Sequence, residues 1–255
     1  MNNFASTERF SNRVADYVRY RPGYPQGVLD VFRNAIGLSS ASVVADVGSG
    51  TGISAALFLD AGCEVYAVEP NDPMRAAAEE LLGDRAGFRS VRGTAEATTL
   101  AGASVDVVAA AQAFHWFDRT RCRAEFLRIL RPAGHVVLLW NSRHTDTTPL
   151  LCGYEALLKQ FATDYTAVNH QNIDAEAVAR FYAPGQCTRA VVPNFQTFDY
   201  AGLKGRLLSS SYAPAAGDPR HEPMLAALRT LFDEHAINGQ VRFDYDTEIY
   251  YGRLV

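Results

Sequence analysis

The sequence predicts an α/β fold in which a mostly parallel sheet is covered on both faces by helices. Three observations carry that prediction. Between Ser42 and Trp140, apolar β-branched runs alternate with helix-like stretches, the rhythm of successive strand–helix–strand units. The first apolar run ends in Asp46-Val47-Gly48-Ser49-Gly50-Thr51-Gly52, a glycine-rich turn that leads into a helix. The next apolar run, Val65-Tyr66-Ala67-Val68, ends in an acid, Glu69, about 20 residues further on.

Taken in order, the apolar runs predict strands over 42–47, 64–68, 88–92, 105–110 and 135–140, with helices over 52–61, 73–82 and 119–130 between them. Pro73 suits the first turn of its helix, with Asn71 or Asp72 as the cap. Arg131-Pro132-Ala133-Gly134 closes the helix before strand five, with Gly134 expected to turn the chain. Beyond Trp140 the periodicity changes. Helices are expected over 149–161 and 174–181, and mostly helical chain over 200–235. Thr188 to Phe198 reads as a strand that Pro193 confines to an edge or a bulge. Asn238-Gly239 reads as a turn into a last strand, Val241 to Tyr251.

The 255 residues suit one large domain or a core with a cap, and 48% hydrophobic content supplies a sizeable core. A net charge of −4, with both signs mixed along the chain, argues against a surface for nucleic acid. The densest basic run, Arg119 to Arg131, reads as a solvated helix face. Cys63, Cys122, Cys152 and Cys187 lie far apart with no C-x-x-C pair, which suits free thiols and no metal site. The start of the chain lacks a basic-then-apolar signal segment, and no apolar run reaches the roughly 20 residues needed to span a bilayer. These features predict a cytoplasmic protein without membrane contact.

A turn with alternate glycines lets backbone approach a ligand closely, and the helix start adds free N–H groups. The spacing is not the dinucleotide G-x-G-x-x-G, because Ile53 stands where the third small residue would fall. The actual pattern, D-x-G-x-G-x-G, resembles the first motif of class I S-adenosylmethionine-dependent methyltransferases. Gly93-Thr94-Ala95-Glu96 and Gln112-Ala113-Phe114-His115-Trp116 stand where that family's third and fourth strands end, and the R-P-x-G turn also resembles its pattern. Three further stretches resemble the small-molecule branch that includes trans-aconitate methyltransferases: Tyr17-Val18-Arg19-Tyr20-Arg21-Pro22-Gly23-Tyr24-Pro25, Leu207 to Pro214, and Tyr250-Tyr251-Gly252.

The resemblance implies a Rossmann-like class I methyltransferase fold: a seven-stranded, mostly parallel sheet with the last strand antiparallel. A single domain over 1–255 would comprise an N-terminal helical cap at 1–41, a cofactor-binding core at 42–141, and substrate-cap insertions at 142–187 and 199–237. It also implies S-adenosyl-L-methionine as cofactor, held by Asp46, Gly48, Ser49, Gly50, Thr51, Gly52, Glu69, Pro70, Ala95, Glu96, Gln112, Phe114 and Arg21. Glu69 suits ribose hydroxyls. Asp46 either orders the turn or meets the methionine amino group. Arg21 can pair with a cofactor or acceptor carboxylate, or with Asp16.

A sulfonium is attracted to aromatic faces, which makes Tyr20, Phe114 and Trp116 candidates. A carboxylate acceptor is already ionised at neutral pH, whereas a hydroxyl needs a base, for which His115 is the first choice. Tyr20 and His115 are therefore the catalytic candidates, and Trp116 and Tyr212 the substrate-contacting ones. The expected partner is a small-molecule acceptor, methylated on a carboxylate or hydroxyl oxygen, and the protein a monomer or homodimer. A nicotinamide-dependent oxidoreductase, or a cofactor-binding protein without catalysis, are the competing readings.

Overall fold

The computed structural model describes residues 18–163, 165 and 175–255. Asp16, Tyr17 and the rest of 1–17 in the expected N-terminal cap lie outside the described residues, as does Asp174 at the expected start of a helix. Seven strands form one sheet in the order β3-β2-β1-β4-β5-β7-β6. They are β1 (Val43–Val47), β2 (Glu64–Val68), β3 (Phe88–Val91), β4 (Val105–Ala111), β5 (Leu130–Arg143), β6 (Cys187–Phe198) and β7 (Val241–Gly252). Strands β1 to β5 pair in parallel, and β7 runs antiparallel to both β5 and β6. This is the expected Rossmann-like methyltransferase sheet. Pro193 lies in β6, the outermost strand, where its missing N–H leaves no ladder bond unmade on the open side.

Eight α-helices are described: α1 (Gly27–Ile36), α2 (Ile53–Asp60), α3 (Asp72–Leu82), α4 (Arg119–Ile129), α5 (Pro149–Phe161), α6 (Ala175–Tyr182), α7 (Tyr200–Leu208) and α8 (His221–His235). Asn71 caps α3 by accepting from Met74 N at 3.0 Å, and Asp118 caps α4 by accepting from Thr120 N and Arg121 N. The basic run on α4 does more than face solvent. Arg123 donates to three backbone carbonyls, of Phe181, Ala183 and Leu254, and so ties α6 and the last residues of the chain to α4.

The alternation of strand side chains separates two cores. Val44, Val107 and Val137 pack under α1, α2 and α3 on one face, whereas Ala45, Val108 and Leu138 meet α4 and α6 on the other. A third apolar cluster joins α5, α7 and α8 to Phe243 and Tyr245 of β7, building a cap beyond the sheet.

Strand β5 is longer than the apolar run alone suggests, because Leu130 already pairs with Val105 across a register shift. The residue with left-handed backbone in this turn is Ala133 (φ 68°), not Gly134. Gly134 is required for space: a Cβ there would sit 2.7 Å from Leu130 Cδ2 and 3.0 Å from Asp106 O.

Strand order reverses between β1 and β4, and a parallel sheet opens a crevice at the carboxyl ends of such strands. One wall of that crevice is the loop after β3. Glu125 of α4 fastens it from behind, accepting from Thr98 N at 2.8 Å and from the Thr98 hydroxyl, while Arg128 clasps the same carboxylate. The Arg128 guanidinium, followed by the Thr98 donors, holds the Glu125 pKa down at about 2 despite burial. The ionised form is thus the stabilised one. Its contribution is full above the unfolded value near 4.3 and is lost as pH falls towards 2. Glu125→Gln is expected to lower stability by about 1.5–3 kcal/mol at pH 7, and by much less at pH 2.5, in urea unfolding curves at the two pH values.

Candidate cofactor and acceptor site

A cavity of 810 Å³ opens at the crevice between β1 and β4. Its floor is the turn after β1. Gly48 and Gly50 have left-handed backbone (φ 70° and 55°). A Cβ on Gly50 would reach only Met74 Cε, at 4.0 Å, so that glycine faces space kept open. Gly52 serves differently. A Cβ there would lie 2.6 Å from Leu82 Cδ1, so its bareness lets α2 enter against α3.

Glu69 holds the turn in shape from the end of β2. Its Oε2 accepts from Gly50 N at 2.9 Å and its Oε1 from Asn71 N at 2.8 Å. Burial raises its pKa, against the lowering effect of those two N–H groups and Arg75. Each carboxylate oxygen has a second lone pair, so the side chain can bridge the turn and still accept from a diol. Behind the turn Asp46 is fully buried, and Oδ2 accepts from Ser54 Oγ at 2.7 Å. Burial pushes its pKa up to about 7, helped by the nearby Glu69 charge and opposed by Ser54.

Of the expected residues, Gly48, Ser49, Gly50, Thr51, Glu69, Pro70, Ala95, Glu96 and Gln112 line the cavity, and so do Arg21, His115, Trp116 and Tyr212. Glu96 accepts from Asp118 N at 2.9 Å, joining the β3 loop to the start of α4. Gln112 directly follows β4 with φ 55°, a strained conformation for a non-glycine, and its N–H donates to Leu139 O at 2.8 Å. His115 and Trp116 lie in a short 3₁₀ turn, Phe114–Trp116, with ring centroids 4.8 Å apart.

Four expected residues lie off the cavity wall. Asp46 sits behind the turn and Gly52 against α3. Phe114 is fully buried and packs edge-on against Phe117, Trp140 and Phe181. The Tyr20 ring lies on Gly205 of α7, where its bulk is accommodated by the missing side chain, and Arg19 covers it at 5.3 Å.

The wall also holds residues that the motifs do not mark, among them Asn71, Asn141, Arg143, Tyr165 and Arg206. Arg143 and Arg206 sit in stretches outside the glycine turn and the strand-end motifs, where an arginine reads as a surface charge. Only packing of the cap against the sheet buries them.

The polar floor suits a cofactor with several hydrogen-bonding groups. Asp46 Oδ1, Ser49 Oγ and Thr51 Oγ1 are buried without a hydrogen-bond partner among the described residues, a costly state unless a ligand engages them or their neighbours. Among the described residues no group of three metal-ligating side chains occurs.

Residues 45–138 match the family model described as "Methyltransferase domain". An uncharacterized methyltransferase of Mycobacterium tuberculosis is 38% identical over 138 residues, covering 52% of each chain. An uncharacterized methyltransferase-like protein of Schizosaccharomyces pombe is 33% identical over 61% of this chain and 59% of its own length. The chain thus spans about half the length of the curated relatives it matches. Among solved structures, a protein provisionally named a type II methyltransferase from Anaeromyxobacter dehalogenans superposes with a TM-score of 0.68, over 92% of this chain and 99% of that one. At 23% identity that likeness speaks for the fold. Residues 45–138 are therefore similar to methyltransferase domains, and the sheet has the fold of that solved neighbour.

Two outcomes test the floor of the site. Gly50→Val, with a branched side chain in the open space, is expected to weaken S-adenosylhomocysteine binding roughly 100-fold, about 2.7 kcal/mol, in isothermal titration, while the far-ultraviolet circular dichroism stays native. The second concerns protons. Unfolded Asp46 ionises near pH 3.9, whereas the folded chain keeps that proton to about pH 7. The folded state binds more protons between those values, so stability falls as pH rises through that window. Asp46→Asn is expected to remove much of this slope, a change on the order of a few kcal/mol, in denaturant unfolding at pH 4.5 and 8.

Proposed function

We propose that the protein transfers the methyl group of S-adenosylmethionine to a carboxylate or hydroxyl oxygen of a small organic molecule. The observation that carries this reading is the continuity of one cavity. It runs from the glycine turn and Glu69 to His115, Trp116, Arg143 and Tyr212, so cofactor groups and acceptor groups share one enclosure. The bound cofactor would supply an electrophilic methyl on a positively charged sulfur.

The chain's own part is placement and exclusion of water. Gly48 to Thr51 and Gln112 would hold the methionine portion, Glu69 the ribose, and Pro70, Ala95 and Glu96 the base. Asp46 and Phe114 would support the turn and the 3₁₀ segment from behind. Trp116 offers an aromatic face on the wall, suited to a cation or to an apolar part of the acceptor. Positive charge on sulfur vanishes as the new bond forms, so a partly desolvated, oriented site favours the reaction more than a fixed charge would. Tyr20, seated on Gly205, would act through the position of α7 rather than by contact. A carboxylate acceptor arrives ionised, whereas a hydroxyl would hand its proton to His115. The net charge of −4, with both signs mixed along the sequence, favours a small acceptor over nucleic acid.

A methyl-transfer screen with labelled cofactor over carboxylic acids, phenols and amines tests the reading, with label expected on an oxygen acid or hydroxyl. Binding of NADH with no binding of S-adenosylmethionine would overturn it. His115→Ala is expected to lower kcat on a hydroxyl acceptor by roughly 100-fold or more and on a carboxylate acceptor by far less. Equal losses on both would assign His115 to positioning.

A further inference from the structure

Arg206 is a buried charge on the cavity wall with no acid paired to it among the described residues. It sits on α7 with 7% of its surface exposed and lines the cavity beside Ser211 and Tyr212. Its Nη1 donates to Ser210 Oγ at 3.1 Å, and Tyr154, Tyr212 and Tyr245 surround it. It makes no ion pair among the described residues, and its Nε is buried without a hydrogen-bond partner there. The neighbouring buried arginine is different: Arg143 Nη2 meets Glu155 Oε2 at 2.6 Å, so its charge is neutralised within the chain.

A guanidinium stays protonated at any pH the fold survives, and neutral tyrosines cannot balance it. Burying such a group without a counter-charge disfavours the fold, so its retention calls for an anion from outside. The planar fork of Arg accepts a carboxylate in bidentate fashion. One uncompensated positive charge matches a monoanion better than a dianion.

We propose that Arg206 binds a carboxylate of the acceptor, making the acceptor an organic acid held by an anion anchor on the cap. This assignment rests on the methyltransferase reading above and narrows it. It also gives α7 a role, since the helix that receives Tyr20 on Gly205 carries the anchor one residue later. The carboxylate held there can be the methylated group or a handle that orients a second oxygen; in either case the charge is required for binding.

The test is titration of the full-length protein loaded with S-adenosylhomocysteine, using benzoate, succinate and citrate, with benzamide and succinamide as neutral isosteres and inorganic phosphate as a competing anion. At least one carboxylate is expected to bind while its amide does not. Arg206→Met is expected to weaken that binding on the order of 100-fold, with S-adenosylhomocysteine affinity unchanged and a melting temperature no lower than wild type. Arg206→Lys, which keeps the charge but not the fork, is expected to lie between, and it serves if the Met variant does not fold.

Equal carboxylate binding by wild type and both variants overturns the assignment, as does absence of binding by every carboxylate. Tighter binding of phosphate than of any carboxylate overturns the choice of anion. Loss of S-adenosylhomocysteine affinity in the Met variant gives Arg206 to the cofactor instead, and a steep drop in melting temperature gives it to the fold. A wild-type protein that fails to bind S-adenosylhomocysteine at all would remove the methyltransferase reading itself, an outcome separate from each of these.

Discussion

The Glu69 carboxylate is the constraint on which the site depends. Accepting from Gly50 N and Asn71 N, it fastens the end of β2 to the turn after β1 and to the start of α3. Two helices begin at that junction, α2 through Gly52 and α3 through Asn71. Without the bridge, the left-handed glycines of the turn would be free to sample other conformations, since glycine loses more backbone freedom on folding than any other residue. The bridge is bought with burial of an acid, which the two N–H donors offset only partly, as the raised pKa records. Asp46 adds a second buried acid behind the first. The site is thus rigid in backbone and electrostatically tense, a combination suited to meeting a polar ligand that carries positive charge.

The cavity wall as a whole carries more basic than acidic side chains. Glu69 and Glu96 are the acids among its lining residues, whereas Arg21, Arg92, Arg121, Arg143 and Arg206 contribute guanidinium groups. Such an excess of positive groups would favour entry of a molecule with an anionic part. The sheet and the cap contribute differently. The sheet places loops after β1, β2, β3 and β4 at one rim, and the cap brings α5 and α7 over that rim through its own apolar cluster.

Several parts of this arrangement were legible in the chain because they are local. Period-two and period-3.6 patterns mark β1 to β4 and α2 to α5 to within a residue or two, since each pattern records one face against a core. Asn71 and Pro73 are recognisable as a helix start because capping needs only neighbours in sequence. Gly48, Gly50 and Glu69 stand out because a close backbone approach permits few other residues. Where the reading went astray, competition between local and distant demands explains it. Gly134 looks like a turn residue, yet it is a glycine because Asp106 and Arg131 backbone crowd it, and Ala133 takes the left-handed backbone instead.

The chain by itself determined the sheet's composition, the glycine turn and the family to which its core is similar, all of them consequences of short-range pattern. Tertiary structure alone decided which side chains face the cavity. It turned Phe114 and Tyr20 away into packing, placed Gly52 against Leu82, and buried Arg143 and Arg206 under the cap. The reason is physical: whether a charge is solvated or enclosed depends on what folds over it. That covering comes from elements far apart in sequence, α5, α7 and β7, whose meeting no local spacing encodes.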